Sequence, residues 1–321
     1  MARPRAGGAT IRAMRIRARG VVTFASLALL AGATALGPAR SAAEVPGIPW
    51  TELLPALPSP PQTQPNRVAH CKRATIKCVD FQIGRMEALR DRLGCDFKAV
   101  FATTYLELTK VLRDAVAADP GFFEFPRYFF REDALFANVY FRTVRAWEQG
   151  KLEKVPPAWR IAFETAESGE VLGAQDMLLG INAHVQNDMP FVLAQLGLRN
   201  RQGETRKPDH DKANRNLSLG YEPVVTAVGS RYDAAMSLTN PSGLFLEDVV
   251  GLELVREWRE QVWRNAERLV RAKDDAERAK VATEIQSYAA QWANGIALVQ
   301  VPGLQAERTE YCQSQLGIPA M

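Results

Sequence analysis

Residues able to do chemistry concentrate in one stretch of this chain, Met177 to Leu196. There Asn182, His184, Asn187 and Asp188 interrupt an otherwise strongly apolar run. His184 and Asp188 stand four apart, so a helix would set an imidazole and a carboxylate side by side on one face. A carboxylate-oriented imidazole is a general base. Acyl transfer would also need a nucleophile, and no Gly-x-Ser-x-Gly elbow occurs. The same pair could supply two ligands to a metal ion from one helix. Downstream, Asp209-His210-Asp211 opens a second helical pattern that could lie antiparallel to the first. His184, Asp188 and Asp211, with His210 added, would make a nitrogen and oxygen site suited to one zinc or iron ion. Such an ion would lower the pKa of a bound water and turn it on an ester or phosphoester. His184, Asp188 and Asp211 would then be catalytic, with Asn182, Asn187 and Asn214 as polar support. The plainer alternative is a buried network, because polar side chains in an apolar helix are costly unless each finds a partner. Asp209 and Asp211 likewise fit ordinary first-turn acids behind Pro208.

Positioning that pair requires an apolar stripe beside it, and Leu178, Ile181, Val185, Val192 and Leu196 supply one. Pro190 lacks an N–H, and Met189 before it is biased away from helical angles, so a kink or break is expected at Asp188 to Pro190. The flanking chain is helix-periodic almost throughout. Val79 to Leu93 stops at Gly94, Lys98 to Ala118 stops at Pro120-Gly121, and Arg131 to Gln149 stops at Gly150. Pro156-Pro157 opens a short helix with Trp159. Leu244 to Ala272 and Asp274 to about Val299 are long and amphipathic, with a turn at Asn240 to Gly243 and a tail helix ending near Leu316. Period-two alternation is absent, so the fold class is all-α: one large helical bundle domain. The aromatic residues Phe122 to Phe130, Tyr140, Trp147 and Trp159 could pack a core or line a lipid-sized apolar pocket.

Composition bounds the function further. Residues 1–43 read as an export signal, with a basic start, an apolar segment from Val21 to Leu36, and Ser41-Ala42-Ala43 before Glu44. No later run is long and apolar enough to span a membrane. The segment holds seven arginines, and its removal leaves 33 basic against 36 acidic residues, so the basic balance of the whole chain belongs to the leader. A nucleic-acid partner is thereby disfavoured. Residues 44–69 are rich in proline and read as an extended arm, leaving 70–321 as the helical domain. Cys71, Cys78, Cys95 and Cys312 are an even set in an exported chain, and two disulfides are expected. Three pairings are possible. Each complete pairing ties Cys312 to the N-terminal region, closing a long loop.

At Gly180-Ile181-Asn182-Ala183-His184-Val185-x-x-Asp188-Met189-Pro190 the chain resembles domain-of-unknown-function family 5995, a bacterial family. Its core pattern is Gly-(Ile/Met)-Asn-Ala-His-(Ile/Val)-x-x-Asp-(Leu/Met). The upstream Pro156-Pro157-Ala158-Trp159 and the downstream Asp211 and Asn214 also match, and the likeness covers roughly residues 80 to 272. It implies an all-helical domain built around this segment and names no reaction. A weaker likeness, confined to His184-x3-Asp188, is to helical zinc-dependent phospholipase C and P1-type nucleases. Those enzymes use several more histidines, whereas this chain has three, and no His-x3-Glu follows. Two functions therefore stand: an exported one-metal hydrolase, or an exported non-catalytic protein with a buried polar network and an apolar pocket for a small-molecule or lipid ligand.

Overall fold

Residues 48–54, 68–238 and 245–318 are described in the structure, a computed structural model. The export segment 1–43, most of the proline-rich arm and the turn at Asn240 to Gly243 lie outside them. Among the described residues the regular elements are all helical, with one isolated bridge between Arg199 and Thr205. The fold is all-α.

Glycine and proline set the helix ends. α2 (Lys77–Leu93) stops at Gly94, and α3 (Lys98–Ala118) stops ahead of Pro120. α4 (Pro126–Glu148) begins five residues earlier than the apolar period alone suggests. Pro126 is the reason: its fixed φ and missing N–H suit a first turn, so part of the aromatic cluster becomes helix. α5 (Pro157–Ser168) likewise opens on a proline, and closes on Gly169, whose left-handed φ of 65° a side chain would disfavour.

The central stretch does not break. α6 (Gly173–Asn182) runs into a π-helical turn, Ala183–Asp188, and then into α7 (Met189–Leu196). Met189 keeps helical angles (φ −61°, ψ −37°), and its N–H donates to the carbonyl of His184, five residues back. Widening the helix by one residue here puts Pro190 in the first turn of α7, where its missing N–H costs little. The expected break is thus corrected to a π turn, and it falls on the His184–Asp188 segment itself.

α8 (Lys207–Tyr232) lies along α3, followed by the short α9 (Ala234–Leu238). α10 (Phe245–Arg271) packs on α7, and α11 (Asp275–Ile296) on α5. α12 (Leu304–Leu316) docks on α8. The α6–π–α7 segment is therefore central, touching α3, α4, α5, α8, α10 and α11. The main core gathers Phe101, Leu106, Tyr140, Trp159, Leu179 and Leu193 around it.

Two disulfides form, Cys71–Cys78 and Cys95–Cys312, the second spanning 217 residues. Part of the arm departs from the extended form expected of it. α1 (Trp50–Leu53) is one helical turn behind Pro49, held at the surface of α8 and α10. The Thr51 hydroxyl reaches Glu260 and Asp211, both at 3.1 Å, and the Ile48 N–H donates to Glu253. No helix among the described residues is long and apolar enough to cross a membrane.

Candidate functional site

The π turn sets His184 and Asp188 in contact, with Nδ1 2.9 Å from Asp188 Oδ2, both side chains buried. Asp188 Oδ2 also accepts the indole N–H of Trp159 at 2.8 Å, and Oδ1 accepts the Asn187 amide at 2.7 Å. With two obligate N–H donors already on this carboxylate, the third contact is satisfied by Nδ1–H donating. That tautomer leaves His184 Nε2 as the unprotonated acceptor. Nε2 has no hydrogen-bond partner among the described residues.

Rings enclose the imidazole. Phe136 of α4 stacks on it at 3.5 Å and 6°, Tyr105 of α3 meets it edge-on at 4.8 Å, and Phe101, Tyr140 and Trp159 complete the surround. Burial therefore pulls the His184 pKa below its usual value, and the Asp188 hydrogen bond opposes this only in part. The ring is neutral at pH 7. Close approach of α6 to α3 makes the enclosure possible: a Cβ on Gly180 would lie 2.3 Å from the Phe101 ring.

Beside the imidazole lies a cavity of about 230 Å³ with almost wholly apolar walls, contributed by α3, α4, α6, the π turn, α7, α8 and α10. Four of its lining side chains carry buried polar atoms with no partner among the described residues. They are His184 Nε2, Tyr105 Oη, Asp133 Oδ2 and both amide atoms of Asn216, each residue at most 8% exposed. Native structures leave few such groups, and each calls for an explanation. Glu132 and Asp133 are both in this wall, and desolvation raises both to about 7; Arg259 moderates Glu132, while Glu132 adds to the rise at Asp133. Tyr105, buried near Asp133, Asp188 and Glu132, is pushed well above its ordinary value and stays a neutral phenol.

The other residues singled out in the sequence go elsewhere. Asn182 donates to the Ala289 carbonyl and accepts from Gln186, pinning the segment to α11. Asn187 donates to Asp188, whereas Asn214 accepts from Arg259 at 2.6 Å. His210 presents both ring nitrogens to Arg259, Nε2 to its carbonyl at 2.9 Å and Nδ1 to its guanidinium at 3.4 Å. Asp209 accepts the backbone N–H groups of Glu124 and Phe125, tying α8 to the start of α4. Asp211 is taken by Lys207 and Thr51 at the surface. Among the described residues no three His, Cys, Asp or Glu side chains converge as a metal site would require. The proposed ligand set does not fit one ion.

The aromatics that could pack a core or line a pocket mostly take the first role. Of Phe122 to Phe130, Tyr140, Trp147 and Trp159, Phe129 alone lines the cavity, and the rest pack the core or the imidazole. Phe101, Tyr105, Phe136 and Asp133 were missed. A signal for the last existed: Phe129, Asp133, Phe136 and Tyr140 recur at helical spacing, so one acid stands inside an apolar stripe.

A family model described as a family of unknown function, DUF5995, matches residues 79–299, and the chain belongs to that family. No curated protein and no solved structure matches, so the partial likeness to phospholipase C and P1-type nucleases has no finding behind it.

Proposed function

We propose that this member of the DUF5995 family is an exported protein that binds a small, mostly apolar molecule bearing one hydrogen-bonding group. One observation carries this reading: the wall of a single apolar cavity holds four side chains, from four elements, that each carry a buried polar atom with no partner among the described residues. An apolar hollow with a few convergent polar groups is the usual form of a small-molecule site. Leaving a buried polar group unpaired costs about 1–3 kcal/mol, and a ligand that pairs it recovers that cost. The two disulfides fit an oxidising compartment.

Size narrows the ligand. A cavity of about 230 Å³ exceeds the roughly 150 Å³ that admits benzene and falls below the roughly 300–1,000 Å³ of drug-sized sites. One or two fused rings or a medium alkyl chain would fit, rather than a whole lipid. The partnerless atoms include acceptors, His184 Nε2 and Asn216 Oδ1, and donors, the Tyr105 hydroxyl and the Asn216 amide N–H, and a ligand hydroxyl, which both donates and accepts, suits such a mixed set.

The test uses 2-naphthol, which is apolar, fluorescent and carries one hydroxyl. Titration into the disulfide-bonded protein should give saturable one-to-one binding. Val185→Phe, which fills the cavity from its half-buried wall, should weaken it at least about tenfold. Absence of saturable binding by 2-naphthol and by octanol to dodecanol would overturn the proposal, as would unchanged affinity in the variant.

A further inference from the structure

We infer that the ligand of this cavity is a small lipophilic primary amine, whose ammonium group pairs with the carboxylate of Glu132. The inference rests on the ligand-binding reading above and names the polar group. A hydroxyl answers hydrogen bonds alone, whereas an ammonium also answers charge.

The observation lies on α4. Phe129, Glu132, Asp133 and Phe136 recur at helical spacing and all line the cavity, so the two acids stand between two rings on one face. Glu132 is only 7% exposed, and among the described residues it accepts no hydrogen bond and joins no ion pair. Its oxygens are nevertheless not among the atoms that are both sealed and partnerless, so each stays open to a molecule the size of water. Asp133 shares this in part, with Oδ2 sealed and Oδ1 open. Buried carboxyls are ordinarily paired or hydrogen-bonded, and this one keeps its acceptors free.

Charge decides the sign of the ligand. Arg259 is the fixed cation of the wall, and its N–H groups go to Asn214, to the Met189 sulfur and to the His210 carbonyl. His184 is neutral, so one positive group stands in the wall against two acids. In an apolar hollow such a surplus is met by a proton or by a bound cation. A carboxylate ligand would face both acids and a guanidinium whose donors are largely taken. A metal ion would want further ligands, and among the described residues no three His, Cys, Asp or Glu side chains converge. An ammonium on an apolar stem needs one carboxylate and an apolar wall, and both are in place.

The proton is its competitor. Desolvation holds Glu132 and Asp133 at about 7, Arg259 draws Glu132 down, and Glu132 pushes Asp133 up. The groups facing the two acids are Tyr105 on α3, His184 and Asp188 on the π turn, Arg206 and Asp209 where α8 begins, and Arg259 on α10. A primary ammonium keeps its own proton to about pH 10. Glu132 must therefore give up its proton for the pair to form, so amine binding strengthens as pH rises through about 7 and levels off above.

The probes are 2-phenylethylamine and its hydroxyl isostere 2-phenylethanol, titrated by calorimetry into the disulfide-bonded protein. At pH 8 the amine should bind one-to-one and at least about tenfold more tightly than the alcohol. From pH 8 to pH 6 its affinity should fall about tenfold, with a fraction of a proton released on binding near pH 7, while the alcohol changes by less than about twofold. Glu132→Gln keeps the shape of the wall and removes its charge. It should cost the amine at least about tenfold at pH 8 and flatten the pH dependence, with the affinity for the alcohol kept. Equal affinities of amine and alcohol at pH 8 would overturn the inference, as would unchanged amine binding in Glu132→Gln or tighter binding of phenylacetate than of the amine. If the amine fails to bind while 2-naphthol saturates the cavity, the inference falls and the binding proposal stands. If 2-naphthol and the alcohols fail as well, both fall.

Discussion

A carboxyl buried among rings keeps its proton longer than one in water, and Asp133 is such a group, raised from 3.8 to about 7 by desolvation and by Glu132 beside it. The sign of its effect on stability follows directly. Between about pH 4 and pH 7 the unfolded chain has released this proton while the folded chain retains it, so folding weakens as pH rises through that window and levels off above it. Asp133→Asn removes the ionisation. It should therefore gain stability over the parent at pH 8 and lose the gain at pH 4, as read by urea unfolding at the two values; equal shifts at both would refute the assignment. The opposite sign applies to His184, whose lowered pKa makes acid, not base, the destabilising direction. At this scale the sequence showed the His184–Asp188 pair because four-residue spacing is a local fact. It did not show Trp159 as the partner of Asp188, which lies 29 residues away and depends on how α5 packs. Nor did it show that Arg259 would take both nitrogens of His210, since that needs α8 and α10 side by side.

Elements were more legible than their meetings. Gly94, Pro120, Pro157 and Gly169 fix helix ends through their own backbone preferences, so α3 falls on the span its apolar period indicates. The π turn was not legible, because local preference at Met189-Pro190 argues for a break. What keeps the segment helical is packing against α5, α10 and α11 on several sides. Gly180 shows the tolerance of that packing. A methyl there would collide with the Phe101 ring, which itself borders both His184 and the cavity. Gly180→Ala removes a helix-weakening glycine, which alone would stabilise by up to about 1 kcal/mol. Overpacking of a filled core costs about 1–3 kcal/mol and wins. The expected result is a lower urea midpoint with unchanged slope, together with weaker 2-naphthol binding. A variant more stable than the parent would show that α3 and α6 can separate freely.

Across the whole molecule, the cysteines mattered most and were half legible: every complete pairing tied Cys312 to the N-terminal region, but only packing selects Cys95 as its partner. Around that bond the Arg308 guanidinium is buried over the Phe97 ring at 3.9 Å and reaches the Val171 carbonyl and the Asp176 carboxylate. α12 is thus held by a covalent link and by a buried charge. The two disulfides differ in what they restrain. By the chain-entropy relation a loop of 217 residues is worth roughly 5 kcal/mol and one of seven about half of that. Replacing Cys95 and Cys312 by serine should therefore lower stability about twice as much as replacing Cys71 and Cys78, measured by urea unfolding of both double variants under oxidising conditions. Equal losses would mean that native packing around each bridge, rather than restriction of the unfolded chain, sets its value. In that case the Arg308 contacts, not the covalent link, would be what keeps the C-terminal helix against α8.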